Sequence, residues 1–249
     1  MKNFMWIFKH YFKRNFLHLA NYLLIGLPLI FILAFSAMTN FLGGIEGVDE
    51  AFIATIGGLT VAIVLGFQFF GADLVSGWLH DDLKGPTEAR LRVSGIDERV
   101  VYLAVIVSGW LFSILTGGIL IIITELVPFI NASWGNYIFA VIAIALVALV
   151  IQLVGVLIFY FTKDGKTAGK VGYVFGEIMI GVALFPAMFN FPTVVERIFG
   201  FFPAELAMQA IDSNSFVNAL PYFGILLAMI VVMGLVVIFV GRGKNNDRF

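Results

Sequence analysis

Catalysis needs titratable or nucleophilic side chains brought together, and this chain carries few of them. There are three histidines, His10, His18 and His80, and none stands in an H-E-x-x-H pattern. The absence of cysteine excludes a disulfide framework, a thiolate metal site and a catalytic thiol. Ser76-Gly77 and Ser94-Gly95 lack the earlier glycine of a G-x-S-x-G nucleophile elbow. Asp81 and Asp82 are adjacent, and adjacent residues on a helix do not face each other, so the pair reads as a solvated face. No carboxylates have metal-ligand spacing. Asp164-Gly165-Lys166-Thr167 resembles the end of a P-loop, but Tyr160 stands where the first phosphate-wrapping glycine belongs, and an apolar run precedes it instead of a strand. The expectation is therefore no catalytic residue, no metal and no nucleotide site in this chain.

The polar residues that remain must be positioned by apolar elements. Of the 249 residues, 61% are hydrophobic and 12% charged, against about half and about a quarter in a soluble domain. Too little polar surface is left to cover a water-exposed shell. A hydrocarbon core needs about 20 apolar residues per helix, and six stretches reach that length: 19–38, 51–72, 100–127, 137–161, 173–191 and 220–240. A backbone in lipid must satisfy its own hydrogen bonds, which makes each stretch a helix. The alternating ten-residue segments of a β-barrel are not seen. The fold class is an all-α membrane protein. The first apolar run lacks a small-residue cleavage site and reads as a retained span.

Charge sets the orientation. Fourteen of the fifteen basic residues fall in the first eighteen residues, the 73–99 and 162–172 connections and the tail; Arg197 is the exception. The opposite connections hold Glu46, Asp49, Glu50, Glu196, Glu205 and Asp212. By the positive-inside rule both ends lie in the cytoplasm of a multi-pass cell-membrane protein. The net charge of −1 gives no sign of a nucleic-acid partner.

Within this frame several features stand out. In residues 1–18, Phe4, Ile7, Phe8, Tyr11 and Phe12 recur at helical spacing beside Lys9, Lys13 and Arg14, the pattern of an interfacial elbow helix. Gly165, Gly169, Gly172 and Gly176 form one stripe at intervals of four, three and four, a seam along which helices approach closely. Gln68, Gln152 and Glu177 lie within spans and are candidates for a translocation path or bundle interior, with Lys170 a possible partner for Glu177. Glu125 sits near the outer end of the third span. Residues 191–211 carry Pro192, Pro203 and Glu205 in a stretch too apolar for a solvated loop and too broken for a span. It reads as a re-entrant pair of short helices.

This layout resembles the permease subunit of ABC-2 type exporters over nearly the whole chain. The local text is similar too. A G-T-x-x-R-L-x-x-[ST]-P-like stretch of that family is matched by Gly85, Thr87, Arg90, Leu91 and Ser94; Pro86 is an extra residue, and Gly95 stands in place of the proline. The resemblance implies a coupling helix at 83–94 that docks on a separate ATPase. Thr87 would cap it, Glu88, Arg90 and Arg92 would offer charges, and Leu91 an apolar knob. It further implies that ATP and Mg are bound by an ATPase dimer, with no cofactor in this chain. A second permease copy, identical or related, would complete the path for an amphipathic or hydrophobic cargo, a peptide among the candidates. The competing readings are an ion- or proton-coupled secondary transporter, for which no inverted repeat is found, and an intramembrane enzyme, for which no catalytic set is found.

Overall fold

The computed structural model describes residues 2–43, 50–127, 134–188 and 192–246. Among the described residues the chain forms eleven α-helices, one 3₁₀ turn and no strand. The helices are α1 (Lys2–Leu17), α2 (Leu19–Gly43), α3 (Glu50–Phe67), α4 (Gly71–Leu83), α5 (Glu88–Val93), α6 (Glu98–Leu126), α7 (Tyr137–Phe161), α8 (Gly165–Met188), α9 (Thr193–Phe199), α10 (Pro203–Ile211) and α11 (Phe216–Asn246). Among the described residues six segments are long and apolar enough to cross a membrane: Ile25–Gly43, Leu59–Leu83, Glu98–Leu126, Tyr137–Phe161, Gly165–Phe185 and Phe216–Arg242.

The helix starts follow from capping chemistry. Asp97 accepts from the Arg99 amide at 2.9 Å and opens α6. Asn136 accepts from the amides of Ile138 and Phe139 at 3.0 and 3.2 Å and opens α7. Each cap satisfies amides that a first helical turn leaves orphaned.

The second span departs from the sequence reading. The apolar stretch 51–72 does not give way to a polar connection at residue 73. A 3₁₀ turn at Gln68–Phe70 carries the chain on from α3, and α4 continues to Leu83. The most apolar stretch of this span is 83% buried, against 11% in the last span, so this helix is the axis of the bundle. The polar residues misled the reading because their partners lie on other helices. Val75, Trp78, Leu79 and Leu83 supply a buried apolar face. His80 and Asp82 are buried with them because α7 and α1 supply hydrogen-bonding groups.

The interior falls into two clusters. One joins α2, α3, α6, α7, α8, α10 and α11 through residues such as Ile63, Leu65, Ile144, Leu206 and Leu226. The other joins α1, α4, α6 and α7 through Ile7, Tyr11, Trp78, Leu79, Val105 and Phe159. Phe4, Ile7, Phe8 and Tyr11 of α1 face this second cluster; Trp6, Phe16 and Leu17 are left exposed.

Contacts place α1, α5, the α7–α8 junction and the end of α11 at one end of the bundle. Tyr11 reaches Asp82, Gly165 adjoins His80, and Gly241 adjoins the Tyr160 hydroxyl. At the other end Trp134 Nε1 donates to Thr124 Oγ1 at 2.9 Å. There α10 buries Ala204, Leu206, Ala207, Ala210 and Ile211, whereas α9 has no buried residue. A Cβ on Gly135 would lie 2.6 Å from the Ile211 carbonyl oxygen, so α10 closes on a backbone that only glycine fits. Glu46, Asp49 and Phe191 lie outside the described residues.

Candidate functional site

The candidate site is built around α5 and the helix end that carries it. A Cβ on Gly85 would overlap the Asp81 carbonyl oxygen, so glycine lets the chain leave α4 at once. Lys84 fixes the exit. Its Nζ donates to the carbonyls of Phe159 and Thr162 at 3.2 and 3.0 Å and lies 4.3 Å from the Phe159 ring centroid. A cation on the last carbonyls of α7 is the favourable polarity for a helix C-terminus. The Thr87 carbonyl accepts from the amides of Arg90 and Leu91, each at 3.1 Å, and starts α5.

The end of α5 explains Gly95. Its φ is +66°, the left-handed conformation that glycine adopts without strain. The Ile96 amide then reaches back to the Leu91 carbonyl at 3.4 Å, the closing bond of a Schellman motif. Leu91 and Ile96 each pack against the second cluster. Leu91 is thus not an outward knob, as the resemblance implied, but part of the footing. The outward apolar residue is Val93, 90% exposed, beside exposed Arg90. Thr87 and Glu88 are half-buried. The side chain of Arg92 lies outside the described part of the structure.

Beneath α5 a buried ionic latch ties α1 to α4. Tyr11 donates its hydroxyl to Asp82 Oδ2 at 2.6 Å, and Arg14 Nη1 donates to the same oxygen at 3.0 Å. Arg14 Nη2 donates to Asp81 Oδ2 at 3.0 Å. The guanidinium lies 5.2 Å from the Trp78 ring centroid, and Tyr11 stacks on the same indole. Burial, then the charge of Asp82, pushes the Tyr11 hydroxyl well above its ordinary pKa, so it stays a donor. The acidic pair is therefore split. Asp81 keeps 63% of its side chain exposed, as the sequence suggested, but Asp82 is only 7% exposed and serves as the latch. Trp78 and Asp82, four residues apart on one helix face, were the available signal.

On the other side of α4, His80 Nε2 lies 2.8 Å from Thr162 Oγ1. The Thr162 hydroxyl donates to the Ile158 carbonyl at 2.6 Å, so the proton between the two side chains sits on His80 Nε2. Next to it, Asp164 Oδ1 accepts the Thr167 amide at 2.8 Å and Oδ2 accepts the Thr167 hydroxyl at 2.9 Å. These bonds hold the Asp164 carboxyl below its ordinary pKa. The P-loop-like tetrapeptide is thus a helix N-cap, with a carboxylate on the amide a phosphate would need.

The glycine stripe of α8 faces α4 and the 3₁₀ turn of the same chain. A Cβ on Gly172 would lie 2.6 Å from Asp73 Cα, and one on Gly176 2.6 Å from Phe70 Cδ1. Gly169 adjoins Asp73 Oδ1 and Gly165 adjoins His80 Cβ. Gln152 is buried where α4, α6 and α7 meet, between Gly71 and Gly109, and its Oε1 has no hydrogen-bond partner. Gln68 is buried in the 3₁₀ turn. Glu177 differs from both. It lies on the exposed face of α8, not in the interior of this chain's bundle, with Tyr173 as its side-chain partner.

At the opposite end Pro192 precedes α9, its carbonyl accepting the Val195 amide at 2.8 Å, and Pro203 occupies the first turn of α10. Glu205 accepts from Gln209 Nε2 at 2.9 Å. Burial raises the Glu205 pKa, against the lowering effect of that bond. Among the described residues no three His, Cys, Asp or Glu side chains converge as a metal site. The arrangement at the α5 end can hold a short exposed helix rigidly on the central helix of the bundle. Set against family models, curated proteins and solved structures, the chain matches none of them.

Proposed function

We propose that this chain is the membrane subunit of an ATP-driven exporter of the ABC-2 type, with both termini in the cytoplasm. The observation that carries the reading is the mounting of α5. A six-residue helix, capped at its C-terminus by Gly95, projects Arg90 and Val93 from the end of the bundle where the basic residues collect. It is joined to the central helix through Gly85 and Lys84. A short helix with an outward charge and an apolar tip suits docking on a soluble partner. Its tie to the axial helix would pass a displacement into the bundle.

In this reading ATP and Mg are bound by the partner ATPase dimer, and a second permease chain completes the path. Glu177 and the exposed apolar face of α8 would line or border that path. The α9–α10 pair would be the re-entrant hairpin at the extracytoplasmic exit, and α1 the interfacial elbow. The cargo class is amphipathic or hydrophobic, peptides included.

One observation favours a second reading. Asp73 lies in the second span, part-buried and pressed against Gly169 and Gly172, and an intramembrane carboxylate is the usual mark of ion or proton coupling. That reading makes the chain a secondary transporter. Purification of the tagged chain in mild detergent, with mass spectrometry and an ATPase assay on the eluate, separates the two. A stoichiometric ATPase supports the exporter. A chain that elutes alone but drives proton-coupled uptake in vesicles supports the carrier.

A further inference from the structure

A cavity of about 700 Å³ opens between α1 and the turn that joins α4 to α5. Its α1 wall carries His10, Lys13 and Leu17, continued by His18; its other wall carries Asp81 and Pro86. The carboxylate of the latch beneath is buried and already engaged. Asp82 is held by Tyr11 and Arg14, and Arg14 is divided between Asp82 and Asp81. What remains for a ligand is the Lys13 ammonium on one wall and, on the other, the exposed carboxylate of Asp81, whose bond to Arg14 engages Oδ2 alone. The lip is apolar: Leu17 is 69% exposed and Phe16 beside it is exposed. Cation on one side, anion on the other and apolar surface at the mouth together match an amphiphile with a zwitterionic head.

From this juxtaposition we infer that the α1–α4 cleft binds the head group of a phospholipid bearing a primary amine, a phosphatidylethanolamine-type lipid. The phosphate meets Lys13, with His10 and His18 beside it, and the ammonium donates to Asp81. A choline head carries no N–H and cannot make that bond. A purely anionic head would set its charge against Asp81. The acyl chains leave past Leu17 along the outer surface of α1. The inference holds for either transport reading, because it needs only the six spans and the cleft. A lipid seated there would buttress the latch between α1 and the helix that carries α5.

Native mass spectrometry of the intact chain in mild detergent tests this. The probes are short-chain phosphatidylethanolamine, phosphatidylcholine and phosphatidylglycerol, with soluble phosphoethanolamine as competitor. One charge-assisted hydrogen bond corresponds to about a tenfold preference for the ethanolamine lipid over the choline lipid. Asp81→Asn should erase that preference, and Lys13→Gln should weaken both zwitterionic lipids alike. Both residues are exposed, so the variants should melt with the wild type. Three results would overturn the inference: strongest binding of phosphatidylglycerol, equal binding of all three lipids in wild type and variants, or equal occupancy by soluble phosphoethanolamine, which would make the ligand a free metabolite.

Discussion

Asp82 and Asp81 are neighbours in sequence with opposite situations, and their energetics should differ accordingly. Removing one partner from a buried, hydrogen-bonded ionic group costs about 3–5 kcal/mol, whereas an exposed ion pair contributes about 0–1 kcal/mol. Asp82→Ala should therefore lower the melting temperature of the purified protein sharply, and Asp81→Ala should barely move it. Tyr11→Phe deletes the hydrogen bond to the buried carboxylate and keeps the ring on Trp78, with an expected loss of about 1.5–3 kcal/mol. Equal melting of all three variants would remove the latch. The sequence showed the amphipathic stripe of α1 but not this contact. Which of two adjacent aspartates turns inward depends on where α1 docks, and local spacing does not carry that information. Leu91 was misplaced for a related reason. The Schellman bond from Ile96 orients α5, and it arises because Gly95 takes a positive φ.

For the helices themselves, length and hydropathy made the spans legible, and α7 occupies the expected 137–161. The continuation of the second span into α4 was hidden, because His80, Asp81 and Asp82 look solvent-seeking until their partners on α1 and α7 are in place. The seam between α8 and α4 gives a graded prediction. At Gly172 an added Cβ meets the Asp73 backbone, but at Gly176 it meets the Phe70 ring, which can rotate. Gly172→Ala should cost about 1–3 kcal/mol, and Gly176→Ala less. Because the seam lies within one chain, neither should change the oligomeric state on size-exclusion chromatography.

Helix α10 adds a pH signature. Burial raises the Glu205 carboxyl above its unfolded value, so the folded state holds this proton more tightly than the unfolded chain does. The associated stability is present below the unfolded pKa and is lost as pH rises through the higher folded value. Melting temperature should fall across that window above the ordinary glutamate pKa. Glu205→Gln should flatten the profile, and an unchanged profile would contradict the burial.

At the scale of the whole molecule, five of the six membrane-length segments are arranged about the sixth, the most buried one, and the same end of the bundle collects α1, α5, the α7–α8 junction and the end of α11. The charge asymmetry of the sequence marked that end, because basic side chains resist translocation whatever the packing. In the exporter reading, the packing would let α5 act as a lever. It stands on the segment that is most buried, so a load applied to it reaches α1, α7 and α8 together. Arg90→Glu with Val93→Glu should abolish docking and leave the fold intact, because both residues are exposed. Leu91→Glu should instead destabilise the protein, because Leu91 belongs to the second cluster. ATPase capture and melting temperature, measured on both variants, distinguish the two roles.

The natural absence of cysteine opens the most direct experiment, since one introduced thiol is unique in the chain. Val93→Cys, reacted in native membranes with a short bifunctional crosslinker, should yield one adduct with an ATP-binding subunit. A control thiol at Val194 on exposed α9 should yield none. That ordered pair of results is the outcome expected of an exporter subunit docked through α5. An adduct from Val194 and none from Val93, or labelling of Val93 by an impermeant reagent added outside intact cells, would contradict it.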